Sequence, residues 1–337
     1  MSITAKELAK KLGLSEAAIS LALNDKPGVS TKTKKKVLEA ARENGYDFSR
    51  LPSNESSSKE QGSIYLIIYK KNGAVVTDTP FFAQLSEGID LECKRYNYFL
   101  NILYIYEGED IAAHLTTLEQ VGAKGIILLG TEMQHIDMLP FSKCTIPFVI
   151  LDNYFDQQNA DCVLINNVQG AYTATDFLIK HTKSQPGYLH SSYPINNFDE
   201  RADGFYKALR RNGMSTSRSV VHKLSPSIEG AYADMKQLLL QDEPVVSCYF
   251  ADNDLIALGA MRAFQEQGYE IPKDISIIGF DNMPLCTYVQ PPLTTIHVPK
   301  EYMGQMAVRR IHERITTSQN TFVKIEISTN LIKRKST

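Results

Sequence analysis

Residues 3–46 have the sequence ITAKELAKKLGLSEAAISLALNDKPGVSTKTKKKVLEAARENGY, which predicts three short helices. Thr4 and the glutamate three residues after it form a capping-box pattern that begins the first helix, and Gly13 is suited to end it. Ser15 and Ser30 are placed to cap the second and third helices. Apolar side chains recur at helical spacing in all three segments, so the helices can enclose one small core.

The 337 residues carry a net charge of −2, but this total hides an uneven distribution. Residues 1–50 carry +4, and the remaining residues carry −6. A basic segment with two helices joined by a tight turn indicates a helix-turn-helix domain that binds DNA. The alternative is a lysine-rich helix face that is only solvated. The overall composition, 43% apolar and 22% charged, excludes a largely disordered or fibrous chain.

Residues 3–46 also resemble the headpiece of the lactose-repressor/galactose-repressor family of bacterial transcription regulators, including the PGVS break and the terminal Gly45 and Tyr46. The resemblance implies a three-helix helix-turn-helix domain over residues 1–50 whose second helix enters the major groove of double-stranded DNA. The residues that it places at the DNA are Glu16, Ala17 and Leu21 for the bases, Ser15, Ser20 and Asn24 for the phosphates, and Thr4.

Leu21 departs from the pattern of many relatives, which have arginine at this position. Leucine cannot make the two-pronged contact to guanine but can touch a thymine methyl group, and Glu16 can accept a hydrogen bond from cytosine N4. We therefore expect an operator that differs from the commonest family sequence. The alternative is that Leu21 packs within the domain.

Residues 51–62 are rich in serine and almost free of apolar side chains, which predicts a flexible hinge or linker. In the family this segment forms a short helix whose leucine wedges open the minor groove. The alanine and leucine expected there fall near Pro52 and Glu55, which cannot play that part. We therefore expect weak or absent ordering of a helix over residues 50–57 and less bending of the DNA.

From residue 63 to residue 337, short apolar runs alternate with longer amphipathic ones. This alternation predicts an α/β domain of parallel sheets with helices on both faces, and its length favours two lobes. The predicted strands are Ile64–Tyr69, Phe99–Tyr106, Gly125–Leu129, Pro147–Leu151, Val163–Ile165, Gly187–His190, Val245–Phe250, Ile275–Phe280 and Phe322–Leu331. The predicted helices are Phe81–Arg95, Gly170–His181, Glu200–Arg211, Gly230–Leu240, Asp254–Gln267 and Lys300–Thr316.

The segments VILDN, ERADGFYKAL, ADNDLIALGAMRAFQEQGYEIPKDISIIGFDN and PPLTTI resemble the same family's periplasmic-binding-protein-like effector domain. The resemblance implies a doubly wound domain with an effector cleft between two lobes. The first lobe is expected at about 63–165 and 296–320, and the second at about 166–295 and 321–332.

Polar residues follow several of the predicted strands, and ligands of parallel sheets bind beyond the carboxyl ends of the strands. Together with the resemblance, this rule gives a set of expected effector-binding residues. They are Phe81, Phe82, Thr131, Asp152, Asn166, Arg201, Asn253 and Asp281. An arginine fork and carboxylates suit hydroxyls or a polar ring, while aromatic rings cover an apolar face. The chain has no tryptophan to stack on a pyranose, which argues against a simple hexose.

Each of these assignments has a structural alternative. The polar residues after the strands can be helix caps or turn residues, and Phe81 and Phe82 can be core. Arg201 can belong to a surface ion pair at the start of a helix. For Asp254, a role at a helix start is the preferred interpretation, because its charge suits the helix dipole.

The sequence contains no G-x-S-x-G, H-E-x-x-H, P-loop or G-x-G-x-x-G motif, so we expect no enzyme activity and no cofactor. Its five cysteines are far apart, with no C-x-x-C pair, so a metal site is not expected. The N-terminus lacks a signal-peptide segment and no apolar run reaches the ~18 residues of a membrane span, so we expect a cytoplasmic protein.

These observations predict a sequence-specific DNA-binding transcription regulator, most simply a repressor. It would bind an inverted-repeat operator as a homodimer, because two-fold symmetric operators need paired helix-turn-helix domains. A sugar or similar polar metabolite in the cleft would control it allosterically. The alternatives are control by a protein partner and a soluble solute-binding protein.

Overall fold

The computed structural model describes residues 3–23, 28–46, 62–71, 73, 75–76, 80–317 and 320–337. The chain divides into two compact units, Met1–Gln61 and Gly62–Thr337. Within the described residues, no helix has the length and apolar character needed to cross a membrane.

The first unit contains the three predicted helices. They are α1 (Ala5–Leu12), α2 (Glu16–Leu23) and α3 (Thr31–Glu43). The capping box is formed: the Thr4 backbone N–H donates to Glu7 Oε2 at 2.8 Å, and the Glu7 N–H donates to Thr4 Oγ1 at 3.3 Å. Gly13 ends α1 with a left-handed φ of 68°, a conformation that glycine adopts without a steric cost.

The caps of the next two helices are also as predicted. Ser15 Oγ accepts from the Ala18 N–H at 3.1 Å, and Ser30 Oγ accepts from the Thr33 N–H at 3.1 Å. The small core joins all three helices and contains Leu8, Ile19, Val37 and Ala41, all fully buried. Asn24, the expected end of α2, and the hinge segment 50–57 lie outside the described residues.

The second unit consists of two α/β lobes. In chain order its strands are β1 (Gly62–Lys70), β2 (Tyr98–Tyr106), β3 (Gly125–Leu129), β4 (Phe148–Leu151), β5 (Asp161–Ile165), β6 (Gly187–Ser191), β7 (Val221–Leu224), β8 (Cys248–Ala251), β9 (Ser276–Asp281), β10 (Thr294–His297), β11 (Lys324–Ile327) and β12 (Asn330–Ile332). Its α-helices are α4 (Pro80–Arg95), α5 (Ile111–Gln120), α6 (Asn167–Thr182), α7 (Asn196–Arg211), α8 (Ile228–Leu240), α9 (Asp254–Glu266) and α10 (Lys300–Thr316). Short 3₁₀ helices occupy His135–Lys143, Thr216–Arg218 and Pro284–Thr287.

The two sheets have matching strand orders. The first is β11-β5-β4-β3-β1-β2, with every pair parallel, and the second is β12-β10-β9-β8-β6-β7, with only the β10–β12 pair antiparallel. In each sheet the second strand of the lobe (β2 or β7) forms the edge, and the first strand (β1 or β6) lies between it and the third. This order is that of a doubly wound fold. The predicted two-lobed fold class is confirmed.

The lobe boundaries near the end of the chain differ from those expected. Residues 324–327 pair with β5 of the first sheet, so the segment 321–332 is shared between the lobes instead of belonging to the second. The predicted single strand Phe322–Leu331 is therefore wrong: it is two strands, separated by Ser328 and Thr329, in two sheets. Residues 296–297 pair with β9 and remain in the second lobe. The chain thus passes between the lobes after β5, after β10 and after β11.

Helix α10 returns to the first lobe and packs against α4. A Cβ atom added at Gly88 would lie under 3.0 Å from the Glu301 carbonyl oxygen, and one at Gly304 under 3.0 Å from the Leu85 carbonyl oxygen. The two helices can approach this closely only because each has glycine at the crossing. This packing sets the start of α10, and with it Lys300, beside the cleft between the lobes.

Candidate functional site

The carboxyl ends of both sheets and the start of α7 surround a narrow cleft. Its lining residues are Val75, Phe81, Phe82, Thr131, Asp152, Ile165, Ile195, Asn197, Phe198, Arg201, Pro226, Asn253, Leu255, Asp281 and Met283. Seven of the eight predicted effector residues are among them. The cavity volume is about 40 Å³, which is room for only a few water molecules at ~10–15 Å³ each. The lining side chains therefore leave little free space between them.

Two buried carboxyl groups face this cavity from opposite lobes. Asp152, after β4, accepts from the Thr131 hydroxyl through Oδ2 at 2.7 Å, and its Oδ1 has no hydrogen-bond partner among the described residues. Asp281 Oδ1, at the end of β9, likewise accepts no hydrogen bond within that part of the chain. Burial raises the pKa of Asp152 to about 6, although the Thr131 hydrogen bond and the Arg201 charge oppose the rise. Burial also raises the pKa of Asp281, against the opposing charge of Arg201.

Arg201 lies between the two carboxyl groups and is only 3% exposed. Its Nε donates to Asn167 Oδ1 at 2.9 Å, Nη1 donates to the Asp252 carbonyl oxygen, and Nη2 lies 3.5 Å from Asp281 Oδ1. Its guanidinium carbon is 3.8 Å from the ring centroid of Phe280. The alternative of a surface ion pair is wrong, because the side chain is buried and fixed at the cleft.

Aromatic side chains close the apolar side of the cleft. Phe81 and Phe82, in the first turn of α4, meet edge to face with centroids 5.0 Å apart. Lys300 Nζ lies 5.6 Å from the Phe81 centroid and donates to the Asp281 carbonyl oxygen. Burial lowers the pKa of this lysine. Phe198 of α7 completes the aromatic lining.

Glu132 binds backbone groups between β1 and α4, and sequence reasoning did not find it. Its buried carboxylate accepts from the backbone N–H groups of Lys71, Val75 and Val76 at 2.7, 2.8 and 3.0 Å. The only sequence signal is its position directly after Thr131 at the end of β3. Its contacts hold Val75, which lines the cleft.

Asn166 does not line the cleft. Its Oδ1 accepts from the Gln169 N–H at 3.0 Å and caps α6, so the helix-cap alternative applies to this residue. Asn253 has both roles: its Oδ1 accepts from the Ile256 N–H at 2.8 Å and caps α9, and the residue also lines the cavity. Asp254 is fully buried beneath the site and accepts from the Met283 N–H at 2.7 Å.

Asn197 and Phe198 are cleft residues that the sequence did not single out. They lie in the first turn of α7, where Asn197 is four and Phe198 three residues before Arg201. This spacing could have identified them from the sequence. Residues at those offsets on a helix share one face with the arginine.

The DNA-facing candidates that the structure describes lie on α2 and at the N-terminal caps of α1 and α2. Glu16, Ala17 and Ser20 are exposed, whereas Leu21 is partly buried. A Cβ atom added at Gly28 would lie 3.0 Å from Leu21 Cδ1, so this leucine lies close to Gly28. Both a base contact and packing within the unit remain compatible with that position. The Thr4 side chain, also exposed, already takes part in the α1 capping box.

Within the described residues, no group of three or more His, Cys, Asp or Glu side chains is arranged to hold a metal ion. The arrangement instead offers hydrogen-bond acceptors, one guanidinium and aromatic faces to an organic molecule. A capped helix-turn-helix unit joined to a two-lobed ligand cleft defines a class of protein: transcription regulators controlled by a small molecule.

Comparison with known proteins identifies the family within that class. The family model "Bacterial regulatory proteins, lacI family" matches residues 4–48, and "Periplasmic binding proteins and sugar binding domain of LacI family" matches residues 34–335. The chain therefore belongs to the LacI family of bacterial regulators. It is 32% identical, over 99% of its length and 98% of the relative's, to the HTH-type transcriptional repressor PurR of Mannheimia succiniciproducens.

Solved structures show the same fold. A LacI-family regulator from Enterococcus faecium with bound ribose is 26% identical, with a TM-score of 0.69 over 80% of this chain and 98% of that one. The lac repressor dimer bound to operator and an anti-inducer is 22% identical, with a TM-score of 0.70 over 100% of this chain and 99% of that one. The protein is thus a ligand-regulated, DNA-binding transcription repressor of this family.

Proposed function

We propose that the protein represses transcription as a homodimer on an inverted-repeat operator, under the control of a small polar metabolite bound between Asp152 and Asp281. Since chromosomal operators lie in the bacterial cytoplasm, that is where it acts. The cleft has a binding role and performs no catalytic step, in keeping with relatives that are named as repressors.

One observation carries the assignment of the effector site. Buried polar atoms are nearly always hydrogen-bonded, yet Asp152 Oδ1 and Asp281 Oδ1 accept no hydrogen bond from the described residues, and Asp281 Oδ1 has only the Arg201 guanidinium at 3.5 Å. Both lie in the same cavity as the Arg201 guanidinium and the ring of Phe82. A ligand with N–H or O–H groups on two opposite edges and one flat or apolar face satisfies all of these groups at once.

The same chemistry defines the candidates to be tried. Ribose, seen in the E. faecium relative, has hydroxyls on opposite edges and no need for a tryptophan platform. A planar heterocycle with N–H donors on two edges meets the same requirements and uses the aromatic walls more fully.

For the DNA-binding unit, we propose that α2 is the recognition helix. Its exposed N-terminal positions Glu16 and Ala17, with Leu21 one turn on, contact the bases, while Ser15 and Ser20 contact phosphates. Thr4 and Asn24 are assigned to the DNA backbone as well.

For the dimer, we propose that the free edge of the first sheet meets a second copy of the chain. The edge strand β2 leaves Phe99, Ile102, Tyr104 and Tyr106 about half exposed, next to Leu91 of α4. A long apolar edge strand of this kind is an association surface in a protein that stays in solution. The lac repressor relative was itself solved as a dimer on its operator.

Selection from random duplexes, followed by gel shift at fixed salt, tests the proposal. Ribose and a panel of nucleobases and other polar metabolites are then added one at a time. A true effector should change operator affinity by roughly 5–150-fold, the usual range for coupled sites. Arg201→Ala should abolish this change. Failure to select any operator, or an effector response that survives Arg201→Ala, would contradict the proposal.

A further inference from the structure

The first turn of α7 makes hydrogen bonds from the second lobe to the first. Asn197 Nδ2 donates to the backbone carbonyl oxygen of Asp152 at 3.2 Å. Its neighbour Asn196 donates through Nδ2 to Asn153 Oδ1 at 2.7 Å and to the Tyr154 carbonyl oxygen at 3.0 Å. Two consecutive residues of one lobe thus hold three consecutive residues of the other, directly beside the cavity.

The direction of these bonds is fixed by the acceptors. Asn153 uses its own Nδ2 to donate to the carbonyl oxygens of Gly130 and Met133 at 2.7 and 3.1 Å, so it presents only its oxygen to α7. The other two acceptors are backbone carbonyl groups, which cannot donate. Asn196 and Asn197 must therefore present N–H groups, and a side chain of the same shape without them cannot hold the lobes together.

Asn197 also connects this contact to the arginine of the cleft. Its Oδ1 accepts from Asn167 Nδ2 at 2.9 Å, and Asn167 Oδ1 in turn accepts from Arg201 Nε at 2.9 Å. Arg201 Nη2 then lies 3.5 Å from Asp281 Oδ1. A continuous chain of polar contacts runs from the Asp152 carbonyl group in the first lobe to the Asp281 carboxyl group in the second.

We propose that Asn196 and Asn197 form a clasp that holds the cleft closed, and that Asn167 passes this closure to Arg201. Asn197 is a positioning residue: it does not need to touch the effector, but through Asn167 it couples closure of the cleft to one of the contacts that orient the guanidinium. The inference rests on the proposed function only in treating the cleft as the effector site. Closure itself is measurable without effector or DNA.

Aspartate substitutions remove the N–H donors while preserving side-chain shape. In Asn197→Asp a carboxylate oxygen would face the Asp152 carbonyl oxygen in a buried position, where two acceptors repel each other. Asn196→Asp does the same at an exposed position, where it does not threaten folding. Asn212→Asp is the matched control. Asn212 lies at the C-terminal end of α7, and its Nδ2 donates to Asp176 Oδ1 at 3.0 Å. This hydrogen bond lies entirely within the second lobe.

The experiment measures the distance between the lobes by double electron–electron resonance in the full chain. Spin labels are attached at Gln157→Cys in the first lobe and Ser192→Cys in the second, both exposed, with the partly exposed Cys144 replaced by serine. No effector or DNA is added. Circular dichroism first establishes that each variant is folded.

Asn197→Asp and Asn196→Asp should shift the distance distribution to longer values and broaden it, whereas Asn212→Asp should leave it unchanged. An unchanged distribution in Asn196→Asp and Asn197→Asp, or an equal shift in Asn212→Asp, would overturn the clasp. If Asn197→Asp does not fold, Asn196→Asp decides the question alone. Loss of operator binding or of an effector response leaves this distance measurement unaffected, so failure of the proposed function is distinguishable from failure of the clasp.

Discussion

Asp152→Asn removes a negative charge that the cleft buries without satisfying one of its oxygen atoms. We expect the variant to be more stable than the wild type at neutral pH and less able to bind effector. The Thr131 hydroxyl can still donate to the amide oxygen, so the shape and one hydrogen bond of the site survive. The gain arises from the charge alone, which a folded protein accommodates poorly in a buried position.

The pKa of Asp152 gives the size of this effect. Folding raises it to about 6 from an ordinary value near 3.9, a difference of about two units that corresponds to about 3 kcal/mol. A raised carboxyl pKa means that the folded state binds the proton more tightly than the unfolded state. The cost is therefore absent below pH 4, grows between pH 4 and pH 6, and is complete above pH 6.

Urea unfolding of the wild type and the variant at pH 5 and pH 8, at one protein concentration, measures the difference. The advantage of Asp152→Asn should grow by about 1.4 kcal/mol between the two pH values, because the remaining titrating groups cancel in the comparison. Asp156→Asn, which neutralises an exposed acid near the cleft, is the control and should show no such growth. A stability gain that is absent, or that is the same at pH 5 and pH 8, would refute this reasoning.

Three further substitutions test other parts of the molecule. Gly304→Ala should destabilise the protein by about 1–3 kcal/mol in urea unfolding, because its methyl group would collide with the Leu85 carbonyl oxygen where α4 meets α10. An unchanged midpoint would mean that the helices separate freely. Leu21→Arg should shift the consensus obtained by binding-site selection toward guanine at one position; the same consensus would mean that Leu21 only packs within its unit. Tyr104→Glu should dissociate the dimer in analytical ultracentrifugation, and a dimer of unchanged affinity would exclude the β2 edge as the interface.

The local features of this fold were predictable from the sequence because local chemistry determines them. The capping box at Thr4 and the caps at Ser15 and Ser30 depend on residues at most three positions apart. Thr131, Asp152, Asn253 and Asp281 were predictable because the ends of parallel strands meet at one edge. Phe81, Phe82 and Arg201 lie on helices, and only the family resemblance pointed to them.

Features that depend on distant partners were not predictable in the same way. Residues 322–331 are apolar enough for one strand. They form two strands because the first half pairs with an edge of the first sheet and the second half with an edge of the second sheet. Asn166 follows a strand like the other cleft residues, but the nearby free N–H of Gln169 engages its side chain first. Asn197 donates to the backbone carbonyl group of Asp152. Every residue has such a group, so the sequence gives no sign of this contact.

The late return of the chain to the first lobe has a consequence for synthesis on the ribosome. Residues 62–165 emerge first, but their sheet lacks β11 and their core lacks α10, whose Met303, Ala307 and Ile311 are fully buried. The parallel strands of the second lobe, residues 187–297, are all available before either element is made. The parallel part of the second sheet can therefore assemble first, with only its edge strand β12 added later. The lobe that begins first must keep an apolar face open until translation passes residue 327. A chain interrupted before residue 300 would carry that open face permanently, which makes it a substrate for chaperones and proteases.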